Sequence, residues 1–296
     1  MVFSDILKTS PLSRLETEIL LGFLLKKNRE FLLTHPETTI TPGLFKNFQT
    51  LTKKRLAGWS IAVLTGEKEF YGRKFTVDKN VLVPRPETEL LVEEVWRTVY
   101  NEPSDADFFI ADIGTGSGAI IISLALEFFQ KDKKRFNNIQ FRGIDISARA
   151  LKIAAKNAAY HKQVRNIKFF QGNLLEPLIN RSDWPNLLND NLLIAANLPY
   201  LTPQQVNSSP SIKKEPRLAL VAGPDGLKYY RQLFRQVAVI CQDKEASPKR
   251  KVVLFCEIDP DQTKSIKALA KKILPAGSIV IKKDLANHNR LAVISC

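Results

Sequence analysis

Cysteine and histidine are scarce in this chain. Three cysteines (Cys241, Cys256, Cys296) and three histidines (His35, His161, His288) are spread over 296 residues. No Cys-x-x-Cys occurs, and no histidine stands near a cysteine or another histidine. A disulfide framework and a zinc site therefore lack their raw material. No metal is expected, and a reducing, cytoplasmic compartment is. Long hydrophobic runs are missing too. Stretches such as Ala119-Ile120-Ile121-Ile122 fall far short of the ~20 residues a membrane-spanning helix needs, so no membrane anchor is expected. The opening Met1-Val2-Phe3-Ser4-Asp5 has no basic stretch leading into an apolar one, so a signal peptide is not expected. Acidic residues are the minority charge, 30 against 44 basic, for a net +14. Such a balance suits an acidic partner, nucleic acid or a protein that works on it, and equally suits a solvated basic surface. The basic clusters, among them Lys53-Lys54-Arg55 and Lys282-Lys283, are scattered and form no single stripe.

What is present is globular. Hydrophobic residues make up 44% and charged residues 25%, which excludes disorder over the whole chain. The length allows a catalytic domain plus a smaller one. Residues 1–60 read as a helical bundle. Leu12, Leu15, Ile19 and Phe23, with Leu20 and Leu24 beside them, fall at helical spacing and are expected in its core. Ser13 and Glu16 have capping-box spacing. Thr41-Pro42 opens another helix whose apolar side is Leu44, Phe45, Phe48 and Leu51. Residues 61–84 read as a β-hairpin connector, with strands at Ile61–Leu64, Phe75–Val77 and Val81–Val83 and turns at Gly66 and Tyr71-Gly72. From 85 to 296 strand and helix alternate. Strands are predicted at Phe108–Ile113, Ile139–Ile144, Ile167–Phe170, Leu192–Ala196, Val252–Phe255, Ser278–Ile281 and Leu291–Ile294. Helices are predicted at about 118–130, 147–160, 226–241 and 260–272. This is an α/β pattern: a mostly parallel sheet with helices on both faces.

The first of these strands runs into Asp112-Ile113-Gly114-Thr115-Gly116-Ser117-Gly118-Ala119. Glycines allow a tight turn and let a ligand approach the backbone, and ligands of open sheets bind at the carboxyl ends of strands. Gly114, Gly116 and Ala119 also fit the dinucleotide fingerprint, so this loop alone does not choose between a nicotinamide cofactor and S-adenosylmethionine. The next strand ends at Asp145, where a carboxylate can accept hydrogen bonds from ribose hydroxyls; a helix N-terminal carboxylate is the plainer reading. Asn173 and Leu174 follow the third strand, placed to meet an adenine amine and ring, or simply forming a loop.

The fourth strand ends in Asn197-Leu198-Pro199-Tyr200, which suggests methylation of a planar nitrogen. The NH2 of an amide or an aromatic ring is a poor nucleophile, because its lone pair is delocalised. The Asn197 side-chain oxygen and the Leu198 carbonyl can hold its two hydrogens and aim the nitrogen at a methyl group. That is catalysis by position and electrostatics. Pro199 fixes the backbone, and Tyr200 can stack on the planar group. No strong general base is needed if the proton leaves after transfer.

The glycine loop, Asp145 and Asn-x-Pro-Tyr together resemble class I S-adenosylmethionine-dependent methyltransferases. Further stretches resemble the peptide-chain release factor glutamine N5-methyltransferases (the HemK/PrmC family). These are Gly66 to Gly72, Val81-Leu82-Val83-Pro84-Arg85-Pro86-Glu87-Thr88-Glu89, Glu215 to Leu220, Gly223 to Leu227 and Asp284 to Arg290. The resemblance spans nearly the whole chain, and Pro-Arg-Pro-Glu-Thr-Glu is its most specific piece. It implies a Rossmann-like, mostly parallel seven-stranded sheet. It implies methyl transfer from S-adenosyl-L-methionine to the amide nitrogen of the Gln in the Gly-Gly-Gln motif of class I release factors. The N-terminal helices would help hold that protein substrate. The implied cofactor site is Asp112, Gly114, Thr115, Gly116, Ser117, Gly118, Asp145, Asn173, Leu174 and Asn197. The implied catalytic and substrate site is Asn197, Leu198, Pro199 and Tyr200, with Arg85 and Glu87 shaping the wall. Two residues depart from the family pattern: Leu198 replaces a usual proline, and Leu174 stands where an aromatic residue is common.

Other classes account for less of the sequence. An adenine N6-methyltransferase acting on rRNA or DNA shares the chemistry, and Asn-Leu-Pro-Tyr occurs in rRNA adenine dimethyltransferases. It would need a basic groove and an unstacked base, and direct nucleic-acid contact is compatible with +14 without being required. A glutamine methyltransferase acting on a ribosomal protein is a closer cousin. A binding module without catalysis leaves the intact Asn197, Pro199 and Tyr200 unexplained. A nicotinamide dehydrogenase leaves Asn-Leu-Pro-Tyr unexplained.

Overall fold

The computed structural model describes residues 1–164, 166–180, 190–209, 212–243, 247 and 250–296. Helices come first, at Phe3–Thr9, Arg14–Leu25, Arg29–Thr34, Pro42–Leu56 and Ile61–Thr65. Their starts are written in the sequence. The Ser13 hydroxyl accepts from the Glu16 N–H while the Glu16 carboxylate accepts from the Ser13 N–H, and Thr41 caps the helix that Pro42 opens. Phe3, Ile6, Leu20, Leu21, Leu32, Ile40 and Phe48 form the core of this region.

Two expectations fail here. Leu15, Ile19 and Phe23 are 50%, 36% and 46% exposed. The buried face of their helix runs through Thr17, Glu18, Leu20 and Leu21 instead. Apolar residues almost encircle this helix, so periodicity does not choose a face, and the face that is buried carries Glu18. Its two carboxylate oxygens meet Nε of Arg14 at 2.9 Å and Nε of Arg29 at 2.5 Å, a pairing that makes its burial tolerable. Second, Ile61–Leu64 is helical rather than extended. Ser60 caps the start by accepting from the Val63 N–H at 3.2 Å, and Gly66 ends it in the left-handed conformation, φ 77°.

Strands β1 (Glu67–Phe70) and β2 (Arg73–Thr76) form an antiparallel hairpin. Tyr71 and Gly72 both have positive φ, the mirror-image turn that matches strand twist. Val81–Val83, expected as a strand, joins no ladder among the described residues. Pro84 and Pro86 follow at once, and the segment is anchored by burial, Val81 joining Val77 and Ala150 with Ala62 and Ile153 packed around them.

The central sheet is built from β3 (Phe108–Ile113), β4 (Ile139–Asp145), β5 (Lys168–Gln171), β6 (Asn191–Ala196), β7 (Val252–Glu257), β8 (Ser278–Lys283) and β9 (Asn289–Ser295). Its order is β5-β4-β3-β6-β7-β9-β8. The first five are parallel. β9 enters between β7 and β8, antiparallel to both. Every residue of β3 and of β7 is buried, as strands covered on both faces should be. One face packs Tyr230, Phe234 and Ile266; the other packs Val92, Ile121 and Phe128. The Glu89–Tyr100 helix, unanticipated from sequence, lies on the second face through Leu91, Val92, Val95 and Val99. The sheet winds outward in both directions from β3 and β6, so a crevice opens at the carboxyl ends of those two strands.

Candidate active site

At the end of β3 the chain turns through Gly114, Gly116 and Gly118, all at positive φ. Gly118 also has no room for a side chain. A Cβ there would stand 2.8 Å from Ile122 Cδ1 and 3.2 Å from Ala154 Cβ. Its absence lets the Ala119–Lys131 helix start hard against the Ala148–Tyr160 helix. The Asp145 carboxylate ties this loop to the next one, Oδ2 accepting from the Gly116 N–H at 2.9 Å and Oδ1 from the Ser147 N–H at 2.8 Å. Burial raises the Asp145 pKa, while these backbone donors and the Ile146 N–H oppose the rise. Asp112 lies beneath the loop, fully buried. One of its oxygens accepts from the Thr115 hydroxyl at 2.6 Å; the other makes no hydrogen bond among the described residues, although the Ile121 N–H is near enough to oppose the pKa rise. Burial pushes its carboxyl up to about 7.

Above the loop is a cavity of about 370 Å³, within the range of small-molecule sites. Gly114, Gly116, Asp145, Asn173, Leu174, Asn197, Leu198 and Pro199 all line it. Asp112, Thr115, Ser117 and Gly118 do not; Asp112, Thr115 and Ser117 are buried and form the loop's foundation. Leu174 is held at a positive φ of 55°, and Asn173 donates to Glu176 at 2.8 Å. The sequence reading missed the opposite wall, which comes from Lys79 to Leu82 and from Pro216, Leu218 and Ala219.

A second pocket, about 200 Å³, adjoins the first. Asn197, Leu198 and Pro199 line both cavities; Tyr200, Arg85 and Glu257 line only the second. Leu82 and Ala219 also line both, so the Asn197–Tyr200 segment forms the partition between them together with these two residues. It is held from behind. The Tyr200 carbonyl accepts from Gln262 Nε2 at 2.8 Å, and Gly226, φ 70°, approaches that carbonyl so closely that a Cβ would stand 2.3 Å from its oxygen. Leu201 exchanges backbone hydrogen bonds with Leu220 and Ala222. So the Glu215–Leu220 and Gly223–Leu227 stretches both serve this partition. Arg85 is paired with Glu215. Glu87 is exposed and lines neither cavity.

Two residues here escaped the sequence reading. Thr88, 4% exposed, accepts a hydrogen bond from Asn197 Nδ2 at 3.0 Å. Glu257, 2% exposed, accepts from the Tyr200 hydroxyl at 3.3 Å. A carboxylate closing a buried parallel strand was the available signal for Glu257. Among the described residues, no group of three His, Cys, Asp or Glu could hold a metal ion, and no helix is long and apolar enough to cross a membrane.

Comparison with known proteins agrees with this geometry. Residues 2–66 match the family model of the PrmC N-terminal domain, and residues 105–236 match that of a methyltransferase domain. The chain is 34% identical over 280 residues to the release factor glutamine methyltransferase of Coxiella burnetii, covering 95% of this chain and 91% of that protein. It is 32% identical over 276 residues to the namesake from Bacillus anthracis, covering 93% and 89%. Among solved structures, the hMettl16 catalytic domain, in complex with the MAT2A 3′UTR hairpin 6, superposes with a TM-score of 0.54 at 14% identity, covering 97% of this chain and 93% of that one. That likeness shows a shared fold.

Proposed function

This chain belongs to the release factor glutamine methyltransferase family, and on that footing we propose that it methylates the side-chain amide nitrogen of the Gly-Gly-Gln glutamine in class I peptide-chain release factors. The cofactor is S-adenosyl-L-methionine, which when bound supplies an electrophilic methyl group. The lining of the larger cavity fits it. The side-chain-free backbone of Gly114 and Gly116 allows close approach, the Asp145 carboxylate can accept from ribose hydroxyls, and Leu174 offers an apolar surface for adenine, with Asn173 beside it. Asp112, Thr115, Ser117 and Gly118 brace the loop from below.

The observation that carries the reading is the partition. Asn197, Leu198 and Pro199 border both cavities, so an amide held there faces the methyl donor's site from the neighbouring one. Among the described residues, no protein donor is bonded to Asn197 Oδ1 or to the Leu198 carbonyl oxygen. These two acceptors would take the two amide hydrogens and leave the nitrogen aimed across the partition. Tyr200, its hydroxyl anchored on Glu257, offers a ring face to the planar amide. The nitrogen turns acidic once methylated, and its proton departs to water. Leu198 keeps the carbonyl that the usual proline would supply, and its side chain fills the space beside Gly114, where a Cβ would lie 3.2 Å from Leu198 Cδ2. Arg85 and Glu215 shape the substrate side. The helices of residues 3–65 would grip the release factor. We propose the cytoplasm as its compartment, because a translation factor works there; the free thiols Cys241, Cys256 and Cys296 are compatible with a reducing environment.

The test is methyl transfer from labelled S-adenosylmethionine to a class I release factor, to that factor with its loop Gln changed to Ala, and to total rRNA. Label is expected on the intact factor alone. Label on rRNA and none on protein would overturn the reading. Asn197→Ala is expected to abolish most transfer while cofactor binding, followed by calorimetry, persists.

A further inference from the structure

We propose that Thr88 and Glu257 act as positioning residues that set which way the Asn197 side-chain amide points, and through it the geometry offered to the methyl acceptor. The inference rests on the reading of Asn197 as a ligand of the acceptor amide. An asparagine side chain presents an oxygen and an NH2 of nearly the same shape, and only its hydrogen bonds distinguish the two orientations. Turned the wrong way, Asn197 would face the substrate NH2 with its own NH2, donor against donor. Its neighbour Thr88 cannot decide the matter alone, because a hydroxyl both donates and accepts.

Glu257 breaks the tie. The Thr88 hydroxyl lies beside the Glu257 carboxylate, short of a hydrogen bond in this structure, and the carboxylate's Oε2 is buried and without a hydrogen-bond partner among the described residues, so a turn of the hydroxyl can give it the Thr88 hydrogen. A hydroxyl has one hydrogen. Once that hydrogen is given to the carboxylate, Thr88 Oγ1 can only accept. It then selects Asn197 Nδ2, which it meets at 3.0 Å, and Oδ1 is left for the substrate. The same carboxylate accepts from Tyr200 at 3.3 Å. One buried anion thus orients both polar side chains of the partition, and Thr88 gives the Pro-Arg-Pro-Glu-Thr-Glu stretch a chemical task.

The arrangement depends on charge. A protonated Glu257 could donate to Thr88 and reverse the chain. Burial pushes the Glu257 carboxyl up to about 7, against the nearby Thr88 hydroxyl, the Arg290 charge and the Tyr200 bond, and Glu87 adds to the rise. Tyr230 also faces it, its hydroxyl bonded to the Glu257 backbone carbonyl.

The experiment has two arms. Without substrate, the Asn197 side-chain NH2 signal is followed by nitrogen-15 NMR and identified by its loss in Asn197→Ala. It is expected to move in Thr88→Val and to stay in place in Thr88→Ser; an unmoved signal in Thr88→Val overturns the relay. With saturating cofactor, kcat for release factor methylation is measured against pH. Thr88→Val is expected to be at least tenfold slower at unchanged S-adenosylhomocysteine affinity, with Thr88→Ser recovering most of the loss. The unmodified protein is expected to slow about tenfold per pH unit well below pH 7, and Glu257→Gln to be slow with no such limb. Retention of that limb in Glu257→Gln, or full speed in Thr88→Val, overturns the proposal. An unmodified protein that transfers nothing to the release factor overturns the functional reading instead, and the NMR arm still decides the relay.

Discussion

Asp112 and Glu257 keep carboxyl groups where water does not reach, and burial lifts both to about 7. For Asp112 this has a consequence for stability with a definite sign. Below the ordinary aspartate value of 3.8 the group is protonated whether the chain is folded or not. Between there and about 7 the folded protein holds a proton that the unfolded chain has lost. Stability from this group is therefore complete at low pH, falls as pH rises through that window, and levels off above it. Asp112→Asn keeps an acceptor for the Thr115 hydroxyl and removes the titration. Chemical denaturation at pH 5 and pH 8 is expected to show the variant gaining on the unmodified protein by on the order of a few kcal/mol between the two; parallel behaviour would refute the shift. Sequence reading reaches contacts that are local to the strand ends. Gly116 and Asp145 announce themselves by their place at strand ends, and they meet through one hydrogen bond. Thr88 stands 109 positions from Asn197 and Glu257 stands 57 from Tyr200, so no spacing rule could join them. Only the sheet does.

Gly118 and Gly43 make opposite predictions for one substitution, because each element asks something different of its glycine. At Gly118 the backbone is at φ 79° and a Cβ would strike Ile122 and Ala154. Gly118→Ala is expected to cost about 1–3 kcal/mol and to weaken cofactor binding by shifting the loop. Gly43 sits in the first turn of the Pro42–Leu56 helix with nothing within 4 Å of a Cβ. Gly43→Ala is expected to stabilise by about 0.4–1 kcal/mol. Thermal unfolding of both variants checks the pair, and the same sign for both would show that the local backbone is misread. Elements with one strong signal were legible, such as β3 with its unbroken apolar run and the Thr41-Pro42 helix start. The Ile61–Thr65 helix was not, because four apolar residues in a row carry no period and the deciding groups are its caps, Ser60 and Gly66. The buried face of Arg14–Leu25 was hidden for a related reason: it carries Glu18, paired with two arginines, and hydrophobic pattern says nothing of ion pairs.

The Lys79–Leu82 segment, the loops that follow β3, β4, β5 and β6, and Pro216, Leu218 and Ala219 jointly line the larger cavity, so a ligand there draws on elements far apart in the chain. S-adenosylhomocysteine at a hundredfold excess over its Kd is expected to stabilise the fold by about 2.7 kcal/mol, a rise in Tm of roughly 4 °C for a chain of this length. No rise at saturation would remove the cofactor from this cavity. The sheet's outer half holds a different consequence. β9 fills the gap between β7 and β8 although both precede it in the chain. During synthesis at about 5–20 residues per second, the roughly thirty residues from Glu257 to Asn289 take about 2–6 s to appear. For that time β7, five apolar residues and Glu257 with no solvent-facing side chain among them, presents an unpaired edge of N–H and C=O groups. An exposed edge of this kind is a template for pairing with another chain. A strand buried on both faces in the finished protein is thus left with one edge open in the newborn chain until its last partner has been made.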